Sequence, residues 1–285
     1  MTRKSAVLLL SCPDRKGVVA AISGFIAQHG GNILHADEHG DAASNTFLMR
    51  VEFDPAELDL PLSDFAWHFG ETAKQFDMQW RLALSDVRQR MAIMVSKYDH
   101  CLVDLLYRHH SGELACDIPC IISNHGDSQA IADFYRIPFF LVPVEKWNKR
   151  AAERLIIAQL EKHAIDFVVL ARYMQVLSSE FVNAYQHRII NIHHSFLPAF
   201  IGAKPYHQAF TRGVKLIGAT SHYVTEVLDD GPIIEQDVVR ISHRDSVEDL
   251  IQKGRDLEKV VLSRAVRWHV ENRVLLYENK TVVFE

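Results

Sequence analysis

The sequence predicts an α/β chain of two domains: a ferredoxin-like βαββαβ unit over residues 1–86, then a Rossmann-like, mostly parallel sheet over residues 91–285. Three observations predict it. Short apolar runs alternate with segments of helical periodicity along the chain. The first six of these come in the order strand, helix, strand, strand, helix, strand. Past the polar stretch Ser85–Arg90 the order becomes strand, helix, strand, helix, the pattern of a parallel sheet with right-handed crossovers. A chain of 285 residues is also long enough for two cores.

In order, Ser5–Leu10 (SAVLLL) reads as a short buried strand. The turn CPDRKG leads into a helix with Val18, Ile22, Phe25 and Ile26 at helical spacing, stopped by Gly30-Gly31. Asn32–Glu38 and Thr46–Phe53 are two strands. A helix after Pro61 carries Phe65, Phe69, Thr72 and Phe76, and Met78–Leu84 closes the unit. The second unit opens with MAIMVS, a helix through Leu102, Leu105 and Leu106, and DIPCIIS. FFLVPV, a helix over Asn148–His163 and DFVVLA follow. RIIN at 188–191 is a buried strand. Pro198, Gly202 and Pro205 then punctuate a segment too long for a plain connector. Lys215–Val224 is a strand with Leu216, Gly218, Thr220 and His222 on one face, turned back at Gly231-Pro232 into IIEQDVV. A capping start at Ser246 and Asp249 begins a long helix with Leu250, Ile251, Leu257, Val261, Ala265 and Trp268 on one face, and RVLLY with TVVF makes a closing hairpin.

Composition narrows the function classes. A net charge of −5 argues against the basic surface that nucleic acid or an anionic membrane requires. No apolar run approaches the roughly 20 residues of a membrane span, and the run before Pro13 is too short for a secretory signal. The four cysteines, Cys12, Cys101, Cys116 and Cys120, are too scattered for a disulfide framework, so reduced core thiols in a cytoplasmic protein are expected.

Chemistry concentrates between Asn191 and Gln236. With a side-chain period of two, Asn191 and His193 project to one side of a strand's C-terminal end, where open α/β sheets hold ligands. An amide can donate to an oxyanion, an imidazole can shuttle a proton near neutral pH, and Asp229 can orient and deprotonate a water. Taken singly, Asn191 reads equally as a turn residue, His193 as a buried imidazole and Asp229 as part of an Asp-Asp-Gly-Pro turn. A metal set can be assembled on paper from His193, His194, His207 and His222. Neighbours on a strand face opposite ways, however, and no acidic or cysteine ligand completes a tetrahedral set, so no metal is expected.

The same stretch resembles the folate-dependent formyltransferase family, whose pattern N-I-H-x-S-x-L-P is followed downstream by H-x-V-x-x-x-x-D-x-G-P; both halves stand here in order. The resemblance implies Asn191, His193 and Asp229 as the catalytic set, and it selects Asp229 over Asp230. LARYMQVL at 170–177 resembles the family's pterin-binding loop, which implies substrate contacts from Tyr173, Gln175, Val176 and Leu177, with His222 and Val224 across the slot. The first unit resembles an ACT domain through Pro13-Asp14-Arg15-x-Gly17 and Gly30-Gly31-Asn32-Ile33. That implies an amino-acid effector site near Asp14, Gly17 and Asn32, with glycine and methionine as ligands, and homo-oligomers formed through this unit.

Water as the acceptor follows from what surrounds the motif. Ser96-Lys97-Tyr98-Asp99-His100 has no glycine with which to cradle a nucleotide's phosphate on bare backbone. The acidic chain lacks a basic tRNA-facing surface, and the extra domain is N-terminal. The resemblance therefore implies hydrolysis of 10-formyltetrahydrofolate to tetrahydrofolate and formate, feeding purine synthesis and balancing one-carbon folate pools, with no cofactor beyond the folate substrate. Two alternatives stay open: a formyltransferase with an amine acceptor, and a non-catalytic folate and amino-acid sensor.

Overall fold

The computed structural model describes residues 4–199 and 205–285, so Gly202 of the punctuated segment lies outside the described residues. The chain forms two compact units, one of residues 1–88 with 271–285 and one of residues 89–270.

The first unit begins β1 (Ala6–Pro13), α1 (Val18–Gln28), β2 (Asn32–Asp41), β3 (Thr46–Asp54), α2 (Phe65–Gln75) and β4 (Gln79–Leu84). Its antiparallel sheet has the order β2-β3-β1-β4, the arrangement expected from βαββαβ. Val18, Ile22, Phe25 and Ile26 are all buried, as their spacing predicts. The helix ends where Gly31 N–H reaches the Ile26 carbonyl (2.8 Å) and Gly30 N–H the Ala27 carbonyl (3.1 Å), a Schellman closure. Alternate residues of β1 serve different cores. Ala6, Leu8 and Leu10 pack with α1 and α2, whereas Val7 and Leu9 pack on the opposite face. Burial on both faces explains why β1 reads as an unbroken apolar run instead of an alternating one.

The second unit runs β5 (Arg90–Val95), α3 (His100–His110), β6 (Asp117–Ser123), α4 (Gln129–Phe134), β7 (Phe139–Leu141), α5 (Lys149–Lys162), β8 (Phe167–Leu170), α6 (Ser179–Ala184), β9 (Ile189–His193), α7 (Pro205–Arg212), β10 (Leu216–Tyr223), β11 (Ile233–Arg240) and α8 (Val247–Val270). Its seven strands have the order β11-β10-β9-β8-β5-β6-β7. The run from β9 to β7 is parallel, while β10 is antiparallel to β9 and to β11. Strand order reverses beside β5, the switch point outside whose C-terminal edge such sheets open a crevice. The capping start of α8 is real: Ser246 Oγ accepts from Asp249 N–H (3.1 Å), and the Asp249 carboxylate accepts from Ser246 N–H (2.8 Å).

Three expectations need correction. The segment after Pro198 is not wholly irregular, because Pro205–Arg212 forms α7. Its eight residues are too few for periodicity to declare a helix. The buried stripe of α8 is also rotated from the expected one. Leu250, Gly254, Glu258, Val261, Leu262 and Ala265 face inward, while Ile251, Leu257 and Trp268 are half-buried. The closing hairpin, β12 (Val274–Tyr277) and β13 (Lys280–Val283), belongs to the first unit and not to the second. Leu275 and Phe284 cover Val7, Leu9 and Leu48 there, and Arg50 Nε donates to the Asn272 carbonyl (3.0 Å). The second unit therefore ends at Val270 instead of running to residue 285.

Candidate active site

The site begins with strand register. In the β9–β10 pair, Asn191 stands opposite His222 and His193 opposite Thr220. Directly opposed residues share a face, so these four side chains gather on one side. Asn191 Nδ2 lies 3.2 Å from His222 Nε2, and His222 Nδ1 lies 2.9 Å from its neighbour's carbonyl at Tyr223. Only a protonated Nδ1 can donate to that carbonyl, so Nε2 is the lone-pair side and accepts from the Asn191 amide. Burial pushes the His222 imidazole toward its neutral form, in agreement with this tautomer. The Asn191 amide is thereby turned one way, with a second hydrogen free for an incoming oxygen.

Asp229 arrives on the loop between β10 and β11. The loop closes tightly because residue 231 is glycine: a Cβ there would stand 1.7 Å from the Tyr223 carbonyl oxygen. Asp229 takes a left-handed backbone (φ 56), which aspartate tolerates. Its Oδ1 lies 3.2 Å from His193 Nδ1 and 3.9 Å from His222 Nε2. On the other edge of the ring, His193 Nε2 lies 2.9 Å from Ser195 Oγ, whose own O–H donates to the Ala199 carbonyl (2.8 Å). His193 thus stands between the Asp229 carboxylate and the Ser195 hydroxyl, with Nδ1 placed to donate to the carboxylate. The hydrogen bond from His193 holds the Asp229 carboxyl below the usual range, against the opposing effect of burial. The site thus pairs a positioned carboxylate with an imidazole, next to an oriented amide.

Thr220 clamps the Ser195–Pro198 stretch. Its Oγ1 accepts from Leu197 N–H (3.0 Å) and donates to the Ser195 carbonyl (2.9 Å), while Gln236 Nε2 donates to that hydroxyl (2.9 Å). Thr220→Val keeps the shape and removes the hydroxyl, leaving buried Leu197 N–H without its acceptor. Stability is expected to fall by about 1–3 kcal/mol. A denaturant midpoint equal to that of the parent chain would show that the clamp contributes nothing.

A cavity of about 390 Å³ opens in front of these groups. Tyr173, Gln175, Val176, Leu177, His222 and Val224 all line it, as do Asn191, His193 and Asp229. Its apolar walls come from the two loops that follow β8 and β10. Ser96, at the end of β5, holds the first loop: its Oγ accepts from Met174 N–H (2.9 Å) and donates to Asn124 Oδ1 (2.7 Å).

His194 departs from the strand reading, in which it points away from His193. The strand ends at His193, so alternation stops there, and the His194 ring lies 5.3 Å from the His193 ring and lines the cavity. Burial first, then the nearby Arg172 charge, lowers its pKa to about 4. A histidine kept neutral by the fold gives stability that is complete above its unfolded pKa near 6.5 and is lost as pH falls toward about 4, by up to about 3 kcal/mol. Thermal melts between those limits are expected to drop less steeply in His194→Gln than in the parent chain. Parallel slopes would remove His194 from the acid response.

Sequence reasoning missed Glu258, which is 1% exposed on the inner stripe of α8. Tyr206 Oη donates to it (2.6 Å), His100 Nε2 lies 2.8 Å away, and Arg172 Nε lies at 3.5 Å. Tyr206 fits only because residue 254 is glycine, where a Cβ would stand 2.1 Å from the phenol oxygen. A charge among Leu250, Val261 and Leu262 was the available signal. Among the described residues the one cluster with metal-ligating donors in reach is His100, Cys101 and Glu258, not the four histidines weighed from sequence. Its carboxylate is already engaged by a phenol and a guanidinium.

The expected effector residues all lie in the first unit and are exposed. Asp14 follows β1, Gly17 caps α1 with φ 96, and Asn32 opens β2.

Comparison with known proteins agrees with both halves of this architecture. A family model described as formyl transferase matches residues 89–266, and one described as ACT domain matches residues 6–63. The chain is 55% identical over 284 residues to the formyltetrahydrofolate deformylase of Synechocystis sp., covering 100% of each. It is 48% identical over 278 residues to the formyltetrahydrofolate deformylase of Bacillus subtilis, covering 97% of this chain and 93% of that one. The crystal structure of a formyltetrahydrofolate deformylase from Pseudomonas syringae matches it with a TM-score of 0.98 at 51% identity, covering 100% of this chain and 96% of that one. With sequence and fold matching over nearly the full length, the chain belongs to the formyltetrahydrofolate deformylase family.

Proposed function

We propose that the chain hydrolyses 10-formyltetrahydrofolate to tetrahydrofolate and formate, and that Asn191, His193 and Asp229 carry the reaction. The observation that carries this reading is the single constellation of Asn191, His193 and Asp229 at the floor of an apolar slot, with Asp229 Oδ1 3.2 Å from His193 Nδ1. In this reading the folate occupies the slot, with Tyr173, Gln175, Val176 and Leu177 on one wall and His222 and Val224 on the other.

The steps follow from the groups. The free Asn191 N–H donates to the formyl oxygen as negative charge develops there. Asp229 orients a water and takes its proton as the water oxygen bonds to the formyl carbon. His193 donates a second hydrogen bond to the tetrahedral intermediate or shuttles its proton. The C–N bond then breaks, the folate nitrogen receives the proton, and formic acid ionises to formate. Water supplies every atom gained, so the residues need no second substrate.

The same reading assigns the first unit to regulation. Amino acids such as glycine and methionine would bind around Asp14, Gly17 and Asn32, and copies of the chain would associate through that unit.

The test is formate release from 10-formyltetrahydrofolate with no amine acceptor present. Wild-type protein is expected to turn over, and Asn191→Ala to lose about 10²–10³ in kcat, the usual effect of deleting one oxyanion donor. Turnover that appears only when an amine is added would overturn the hydrolytic reading.

A further inference from the structure

A second cavity of about 250 Å³ adjoins the first, and the two share Arg172, Met174 and His194 as their partition. It lies past the C-terminal ends of β5 and β8, at the switch point of the sheet. Its charge is unbalanced. Arg172 and Arg255 both reach the Tyr98 ring, with guanidinium carbons 5.7 Å and 5.3 Å from its centroid. Glu258 is the one carboxylate among the described residues lining the cavity, and it is already engaged by Tyr206, His100 and Arg172. Arg255 has no acidic partner among the described residues. Arg172 is 9% exposed, and its Nε has no hydrogen-bond partner. Arg172 Nε faces Glu258 at 3.5 Å, so two guanidiniums stand against one carboxylate and leave one positive charge for an anion.

The Arg172 backbone is also left-handed. It holds φ 65, a left-handed conformation that suits glycine and strains a long side chain. That side chain borders both cavities, so it stands between the reacting groups and the cationic chamber.

We propose that the chamber is the exit seat of the small-carboxylate product, formate, held by Arg172 and Arg255; this rests on the hydrolytic reading above. Formate is made beside the Asp229 carboxylate, which repels it, while the folate still fills the slot in front. Across the partition, two guanidiniums share the single carboxylate of Glu258, which leaves one positive charge for the product. Formate therefore leaves through the chamber before tetrahydrofolate leaves the slot.

The test is direct binding of ¹³C-formate to the full-length chain, read by NMR line broadening with tetrahydrofolate present or absent and with inorganic phosphate as a competitor. Wild-type protein is expected to bind formate even when tetrahydrofolate is saturating. Arg172→Gly, which suits the backbone at that position, is expected to weaken formate binding by about tenfold or more, as is the exposed Arg255→Gln. Arg255→Gln should keep the single-turnover cleavage rate, which separates product seating from bond breaking. Displacement of formate by tetrahydrofolate, unchanged affinity in both variants, or a site that takes phosphate and refuses formate would each sink the chamber. Binding is read without turnover, so a wild-type chain that binds formate but releases none from 10-formyltetrahydrofolate sinks only the hydrolytic reading.

Discussion

Asp229→Asn is expected to lower acceptor-free formate release by about 10²–10⁴ while the protein stays folded. Asparagine is as tolerant of a left-handed backbone as aspartate, so the loop conformation at φ 56 is kept. What disappears is the negative charge 3.2 Å from His193 Nδ1. The amide cannot take a proton from water, and His193 loses the carboxylate at its Nδ1 edge while its other edge stays against Ser195. Because the His193 hydrogen bond keeps the Asp229 carboxyl below its usual range, the carboxylate is ionised throughout the neutral region. Acid inactivation through Asp229 begins only below the ordinary carboxylate pKa near 3.9. Steady-state kcat and a thermal melt, measured side by side, decide the matter. A variant retaining kcat within about threefold would remove Asp229 as the base.

Glu258→Ala is expected to be the most destabilising single change described, by about 3–5 kcal/mol. It removes the anion of a buried pair and leaves Arg172, at 9% exposure, without its counter-charge, while the phenol of Tyr206 loses its acceptor. Burial alone raises the Glu258 carboxyl, but His100, Arg172 and Tyr206 together outweigh it and hold the group lower than usual. Its contribution to stability is therefore complete above the unfolded glutamate pKa near 4.3 and fades as pH falls through the lower folded value. Chemical denaturation of the parent chain and of Glu258→Ala at pH 7 and again near pH 3.5 gives the comparison. The gap between them should narrow in acid, and a gap that widened would reverse the sign of the argument.

The sequence made some of this readable and hid the rest for physical reasons. β1, β5, β6, β8 and β9 announce themselves because burial on two faces forces unbroken apolar runs. Asn191 and His193 could be put on one face because strand alternation is strict, and the pairing of Asn191 with His222 agrees with that placement. His194 could not be placed, since alternation fails where a strand stops. Glu258 was passed over for another reason: its partners His100 and Tyr206 lie 158 and 52 residues away, and a lone acid on a helix reads as solvent-facing even between apolar positions. Arg172 escaped notice because nothing in its neighbours declares a left-handed turn there. The hairpin was readable as a hairpin, yet its membership was not. Leu275 and Phe284 look alike whichever apolar face they cover.

That membership bears on how the chain is made. Residues 89–270 form a continuous unit, so everything it needs has been synthesised once Val270 is in place. The first unit is begun earlier but finished later. Until Leu275 and Phe284 emerge from the ribosome, Val7, Leu9 and Leu48 present a bare apolar face to a crowded solvent. The earliest-made sheet is thus the last to be sealed, and a fragment cut after residue 88 would carry that open face permanently.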